Sequence, residues 1–138
     1  MKYLRTYEGK IKPPLYLGDI IDIGILTSSS YDKYYIVIES ADNMNGYRTF
    51  DTPVETYKIG YGFTSYGGFE KPINLKYIDN NIVEYIVNEV TYIIENSVHE
   101  DKYIEKLKGV LDVWDKNDTF NYYIEKYRIR KEGEKFNM

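Results

Sequence analysis

The sequence predicts an α+β fold in which a curled antiparallel sheet of about five strands precedes three helices. Apolar residues between Ile78 and Val98 recur at steps of three and four, as in a long helix that lies on a core. Alternating segments and turn signals precede this stretch, and two further helical patterns follow it. The 138 residues fit a single domain, with strands mainly in 1–78, helices in 79–131 and a frayed tail in 132–138.

The predicted strands lie in the first half of the chain. Ile20–Thr27 alternates with its isoleucines on one side, and Tyr34–Glu39 is apolar on both faces, which is typical of a strand inside a sheet. Asn45-Gly46 is the strongest hairpin signal, because both residues tolerate the positive φ angles of a type I′ turn. Hairpin links favour antiparallel pairing. Further strands are expected at residues 1–8, 47–50, 54–59 and 73–77.

The central helix is predicted from two adjacent apolar rows, and Asn81 with Glu84 three residues later matches a capping box at its start. A second capping box, Ser97 to Glu100, ends this helix and begins another that runs to Trp114. A short third helix follows, with its apolar face formed by Phe120, Tyr123, Ile124 and Tyr127. The helices are expected to pack on the sheet or on a second copy of the chain, so the sequence does not decide whether the protein forms a homo-oligomer.

The composition narrows the class of protein. A hydrophobic fraction of 43% supplies a core without metal or disulfide support, and no cofactor is expected. The absence of cysteine removes disulfides, thiolate metal sites and cysteine nucleophiles. No apolar run has the length of a signal or of a membrane-spanning helix, so we expect a cytoplasmic protein without membrane association.

Amino-acid usage gives a hint about the source. The chain contains 17 tyrosines with abundant Ile, Lys and Asn, a single alanine (Ala41) and no glutamine, as AT-rich codons favour. This bias, together with the sheet propensity of tyrosine, accounts for most of the tyrosine excess. The composition therefore points to a low-GC bacterium, or to a phage or plasmid of one.

Charge is concentrated in the second half of the chain. Residues 1–78 are neutral, and the net charge of −4 comes from residues 79–138. Between Asp79 and Asp101 there are six acidic residues and no lysine or arginine. A general nucleic-acid-binding protein needs a broad basic footprint, so direct binding of nucleic acid is not expected.

The acidic run of the central helix is the main candidate site. We expect Glu84, Glu89 and Glu95 to face solvent, bordered by Tyr85 and Tyr92. The simpler alternative is a solvated helix face. Such a face normally carries Glu–Lys pairs at i,i+4, and their absence leaves a negative field that a basic partner would neutralise. The function expected from this profile is a phage- or plasmid-type inhibitor, with an anti-defence role, that covers a basic surface of a nucleic-acid-handling host protein.

The segment Gly60–Phe69 is the second candidate, with four glycines and four aromatic residues. Glycine permits close approach of the backbone, and aromatic rings stack on flat ligands, so the segment could be a lid over a small, nucleotide-like anion. It lacks a nucleotide-binding fingerprint, and a mobile loop whose aromatic side chains cover the core or a partner is the alternative. The ligand-binding residues would then be Tyr61, Phe63, Tyr66 and Phe69, with Arg48, Arg128 and Arg130 as cations.

Catalytic residues are not expected. His99 is the single histidine, and its neighbours Glu100 and Asp101 cannot all converge on one reacting atom. The carboxylates Asp19 and Asp22 lie at an odd offset on a predicted strand and so on opposite faces. No calcium-loop pattern occurs, and no metal site is expected. The sequence thus predicts a binding protein that is not an enzyme.

Overall fold

The computed structural model describes residues 11–23, 34–40, 48–49, 53–96 and 100–136. The chain divides into two compact units, residues 1–73 and residues 74–138. The first unit contains a four-stranded antiparallel sheet and a two-stranded ladder, and the second contains three helices. The predicted α+β class, with a sheet followed by three helices, is confirmed, although the main sheet has four strands rather than about five. The described strands are β1 Ile11–Lys12, β2 Ile20–Asp22, β3 Tyr34–Val37, β4 Arg48–Thr49, β5 Val54–Lys58 and β6 Gly62–Tyr66.

The main sheet has the strand order β2-β3-β5-β6, and every neighbouring pair is antiparallel. Ile36 at the centre of β3 lies between Ile20 of β2 and Tyr57 of β5. This interior position explains why β3 is apolar on both faces. A separate ladder pairs Ile11 of β1 with Thr49 of β4. One buried cluster of this unit consists of Leu15, Ile21, Val37, Val54 and Tyr66.

The segment Gly60–Phe69 contains a strand, where the sequence predicts a loop. Residues 62–66 form β6, which pairs with β5 from Val54 opposite Tyr66 to Lys58 opposite Gly62. Gly60 and Gly62 have φ angles of 86° and 106°, a region that glycine enters without steric cost. Two of the four glycines therefore serve the tight turn of a hairpin, and the aromatic residues supply the β propensity of the strand.

The predicted strand at residues 73–77 is wrong, because this segment turns. The backbone N–H of Tyr77 donates to the carbonyl oxygen of Asn74, and the N–H of Lys76 donates to the Asn74 side chain at 3.0 Å. Asparagine side chains often compete with sheet pairing in this way. The chain contacts the sheet just before this turn, through a bridge between Ile21 and Pro72 and through the N–H of Ile73, which donates to the carbonyl oxygen of Ile20 at 2.8 Å. The predicted Asn45-Gly46 turn and the strand at residues 1–8 lie outside the described residues.

The three helices are α1 Asn80–Asn96, α2 Asp101–Trp114 and α3 Asp118–Phe136. The cap of α1 is Asp79, whose Oδ1 accepts the N–H of Asn81 at 2.8 Å, in place of the predicted Asn81–Glu84 box. Glu100 precedes α2 without a side-chain capping bond. The helix α3 extends to Phe136, where the sequence predicts a frayed tail from residue 132. Charged pairs at i,i+3, such as Lys131 with Glu134 at 3.5 Å, favour this extension.

The apolar faces of the helices form the core of the second unit. Helix α1 packs against both α2 and α3. The turn between α2 and α3 is held by the rings of Trp114 and Phe120, whose centroids are 4.9 Å apart. Among the described residues, no helix is both long and apolar enough to cross a membrane. The buried apolar residues of the helices are Val83, Ile86, Val87, Val90, Ile93, Ile104, Leu107, Val110, Trp114, Phe120, Ile124 and Tyr127.

Candidate functional site

Helix α3 covers part of the polar side of α1. The ammonium of Lys126 lies 2.8 Å from Oε2 of Glu84, and the hydroxyl of Tyr127 donates to Oε2 of Glu95 at 3.1 Å. Thr91, between these glutamates on α1, is buried and donates its hydroxyl to the carbonyl oxygen of Val87 at 2.7 Å. The stripe that carries Glu84 and Glu95 therefore borders the contact between α1 and α3, which we call the seam.

The seam partly neutralises the acidic run. The hydrogen bond and the charge of Glu84 both raise the pKa of Lys126. Burial raises the pKa of the Tyr127 hydroxyl, and its hydrogen bond to Glu95 raises it further. The i,i+4 spacing predicts Glu–Lys pairs within one helix only, whereas Lys126 reaches Glu84 from another helix. Local spacing carries no signal of such a pair.

The outward side of α1 presents two tyrosines and a glutamate. Tyr85 and Tyr92 are 39% and 53% exposed, and the half-buried Glu89 lies between them in the sequence. Steps of four and three residues place all three side chains on one helix face. Asn96 continues this face, with its amide donating to the carbonyl oxygen of Tyr92 at 2.8 Å. We call Tyr85, Glu89, Tyr92 and Asn96 the tyrosine strip.

The structure thus places the predicted protein-binding residues in two groups. Tyr85, Glu89 and Tyr92 lie in the tyrosine strip, where both tyrosines are exposed but Glu89 is half-buried, although the sequence predicts that it faces solvent. No lysine or arginine lies within α1. Glu84 and Glu95 lie at its margin, towards α3, and each contacts a side chain of that helix. The negative side chain at the centre of the strip is therefore Glu89.

A cleft of about 270 Å³ opens in the seam. Its aromatic walls are Tyr123 and Tyr127, and cations lie against both rings. The Lys126 ammonium is 5.6 Å from the centroid of Tyr123, and the Arg130 guanidinium is 5.0 Å from that of Tyr127. The remaining lining residues are Glu84, Asn88 and Ile129. Sequence reasoning missed this cleft, because its walls come from two helices.

The aromatic residues of the Gly60–Phe69 segment lie in different surroundings. Tyr61 is exposed at the hairpin tip, with the Lys58 ammonium 3.8 Å from its ring centroid. Phe63 packs edge-on against Tyr57 of the neighbouring strand, at 5.1 Å between centroids. Phe63 and Tyr66 are three positions apart on β6 and therefore point to opposite faces, so the rings of this segment do not converge on a single ligand.

The rest of this segment has a structural role in the sheet unit. Tyr66 is buried, with its ring centroid 5.3 Å from that of Tyr35. Phe69 is half-exposed, and its ring lies 5.4 Å from the ammonium of the buried Lys12. Arg48, one of the predicted cations, is the register partner of Lys12 in the two-stranded ladder. The segment is therefore a hairpin whose Tyr66 side chain belongs to the buried cluster of the sheet unit.

The other predicted cations, Arg128 and Arg130, belong to the helical unit and differ in their contacts. Arg128 is exposed and pairs with Glu125 on the same helix. Arg130 is also exposed, but it stacks on Tyr127 and lines the seam cleft. Arg130 is therefore the member of the predicted cation set that borders a cavity described here.

The acidic residues considered for catalysis have other partners. Oδ2 of Asp19 accepts the N–H of Tyr16 at 2.8 Å, which closes the turn before β2. Burial raises the pKa of Asp19, and the bond from Tyr16 opposes this shift. His99 lies outside the described residues. Among the residues that the structure describes, no group of three His, Cys, Asp or Glu side chains is placed to hold a metal ion.

Comparisons with known proteins give no relative. The chain matches no family model, no curated protein and no solved structure.

Proposed function

We propose that this chain is a non-enzymatic cytoplasmic protein that uses the tyrosine strip of α1 to cover a basic surface of another protein. The observation that carries this proposal is the exposure of Tyr85 and Tyr92 on the same face as Glu89. Tyrosine is enriched in protein interfaces, because a large ring is buried at little cost in conformational entropy. A carboxylate between two tyrosines adds a preference for cations.

The chain itself contains the pairing that such an interface would use. Lys58 lies over Tyr61, and Arg130 lies over Tyr127, each within cation–π distance. Lysine or arginine side chains of a partner would stack on the strip tyrosines in the same way and pair with Glu89. This combination suits a basic protein surface better than it suits a small anion, which Glu89 would repel.

The class of partner follows from charge and composition. Proteins that handle nucleic acids carry broad basic surfaces, and an acidic helical unit is complementary to them. The AT-rich amino-acid usage is typical of low-GC bacteria and of their phages and plasmids. We therefore propose a phage- or plasmid-type inhibitor, with an anti-defence role, that occupies such a surface on a host protein. The size, acidity and amino-acid usage of the chain support this proposal by analogy.

Co-purification from a low-GC bacterial lysate, followed by native mass spectrometry, tests the proposal. The test variant combines Glu89→Lys with Tyr92→Ala, and the matched control combines Glu105→Lys with Tyr77→Ala. Glu105 and Tyr77 are also exposed residues of the helical unit. We expect the parent and the control to retain the same protein and the test variant to lose it. Equal retention by the two variants would place the interface elsewhere.

A second candidate function is the binding of a small anionic ligand, and the seam cleft is the observation that favours it. Arg130 and Lys126 line this cleft together with two tyrosines. A nucleotide panel in a thermal-shift assay would identify such a ligand. Arg130→Ala should abolish the shift, whereas Arg128→Ala, which removes an exposed arginine paired with Glu125, should preserve it. A shift that survives Arg130→Ala would exclude the cleft.

A further inference from the structure

Helix α3 has a second apolar stripe, on the side away from its buried face. The buried face is formed by Phe120, Ile124 and Tyr127. Tyr122 and Ile129 lie opposite, 61% and 71% exposed. Their separation of seven residues is two helical turns, so the two side chains line up along one stripe of the helix surface. Contiguous exposed apolar surface marks candidate contact surfaces, and this stripe is the candidate on α3.

Opposite charges flank this stripe. Glu125 lies on one side and Lys126 on the other, because adjacent residues on a helix are 100° apart. A shallow groove of about 380 Å³ runs along the stripe, with a mainly apolar lining. The lining residues are Asn121, Tyr122, Glu125, Lys126 and Ile129.

We propose that this stripe of α3 binds a second copy of the chain, with the two α3 helices parallel and in register. In a parallel pair the two-fold axis runs along the helices, so the left flank of one helix meets the right flank of the other. Glu125 of each copy then faces Lys126 of the other. Tyr122 packs on Tyr122, and Ile129 packs on Ile129.

The charges decide the direction of the helices. An antiparallel pair would bring equivalent flanks together, so that Glu125 would face Glu125 and Lys126 would face Lys126. Two like-charged contacts disfavour that arrangement, whereas the parallel pair gains two opposite-charged contacts. The existing partners of these residues, Arg128 and Glu84, form exposed ion pairs that cost little to rearrange.

The proposed dimer surface is separate from the tyrosine strip. It uses residues of α3, whereas the strip uses residues of α1. The proposal of partner binding and the proposal of self-association can therefore be refuted separately. Variants that alter one surface serve as controls for the other.

Sedimentation velocity of the full chain over a range of concentrations tests the dimer. We expect a concentration-dependent dimer, and we expect Ile129→Asp to weaken it by about tenfold or more, because a charge would replace the centre of the contact. Val113→Asp is the matched control, since Val113 is an exposed apolar residue on α2. A parent that stays monomeric throughout, or a dimer that ignores Ile129→Asp, would overturn the proposal.

Disulfide trapping tests the direction of the helices. The chain contains no cysteine, so Ile129→Cys and Tyr122→Cys each introduce a single thiol. In a parallel, in-register pair each variant should form disulfide-linked dimers on its own under mild oxidation, and Val113→Cys should not. An antiparallel pair would link the two variants mainly when they are mixed, and that result would refute the parallel arrangement.

A charge exchange tests the pairing of the flanks. Glu125→Lys should weaken the dimer several-fold, because position 125 would then face Lys126 of the other copy. Adding Lys126→Glu should restore the dimer, and Glu84→Lys is included so that an opposite-charged pair is kept at the seam. A triple variant that dimerises no better than Glu125→Lys would contradict the proposed pairing.

Discussion

Because α1 is the main core element of the helical unit, we expect substitutions of Ile86 to lower the free energy of unfolding strongly. This side chain lies in the middle of the helix and is fully buried. The substitution Ile86→Ala removes three carbon groups, each worth about 0.8 kcal/mol of transfer free energy. The cavity left behind adds to this loss, so the expected destabilisation is about 3–4 kcal/mol, within the range typical of buried Ile→Ala changes.

Ile82 provides a matched comparison on the same helix. It precedes Ile86 by one turn and is half-buried, so Ile82→Ala should cost about half as much. Urea unfolding followed by circular dichroism measures both differences, and an unchanged slope would show that the unfolded state is unaffected. Ile86→Asp should abolish the cooperative transition, since total stabilities are about 5–15 kcal/mol and a buried unpaired charge is costly. If Ile86→Ala cost no more than Ile82→Ala, α1 would not be the core element that the structure indicates.

Two further predictions concern the sheet unit. Tyr66→Ala should lower the free energy of unfolding in urea by about 3 kcal/mol and Phe63→Ala by about half of that, because Tyr66 is buried and Phe63 is half-buried. If both variants were as stable as the parent, the result would favour a ligand lid over a hairpin that covers the core. Burial raises the pKa of Asp19, so the folded state holds this proton more tightly than the unfolded state. The resulting stability is fully present below the unfolded pKa near 3.8 and is lost as pH rises through the folded pKa. Asp19→Asn keeps an acceptor for the N–H of Tyr16 but cannot ionise. The unfolding free energy of this variant, relative to that of the parent, should therefore rise between pH 3 and pH 7. A difference that stays constant would show that the pKa of Asp19 is not raised by folding.

The sequence was most informative where a pattern is strictly periodic. Two apolar rows predicted the central helix at residues 78–98, and the structure has α1 at Asn80–Asn96. The same period placed Tyr85 and Tyr92 on the exposed side of the helix. The segment Gly60–Phe69 was misread, because its dense glycines are typical of loops, although two of them serve a hairpin turn. Asn74 and its local hydrogen bonds explain why the alternation at residues 73–77 does not form a strand.

The contact between α1 and α3 at the seam could not be predicted from the sequence. Lys126 and Glu84 are 42 positions apart, and their contact depends on which helix packs against the polar side of α1. The sequence locates both residues on helices but does not say which helix faces meet. The burial of Thr91 could not be predicted for the same reason. Its helical position belongs to the polar stripe of Glu84 and Glu95, and Thr91 is buried because α3 packs beside it. The sequence thus predicts the helix that carries the acidic residues, but not the contacts that Glu84 and Glu95 make with α3.

The seam also decides which variant tests the proposed interface most cleanly. Changing Glu84 to lysine would place a second cation beside Lys126 and would disturb the packing of α3. Reversal of Glu95 would remove the acceptor of the Tyr127 hydroxyl. Glu89 takes part in neither contact, so its reversal leaves both of them in place.

The most direct test of the central claim is the association rate of the chain with the co-purified partner, measured by stopped flow at low and at physiological salt. We predict that Glu89→Lys slows association several-fold at low salt, while the equal charge change Glu105→Lys has a much smaller effect. Raising the salt concentration should slow the parent and reduce the difference between the two variants. An association rate that ignores both salt and Glu89→Lys would contradict the proposal that the tyrosine strip binds a basic surface.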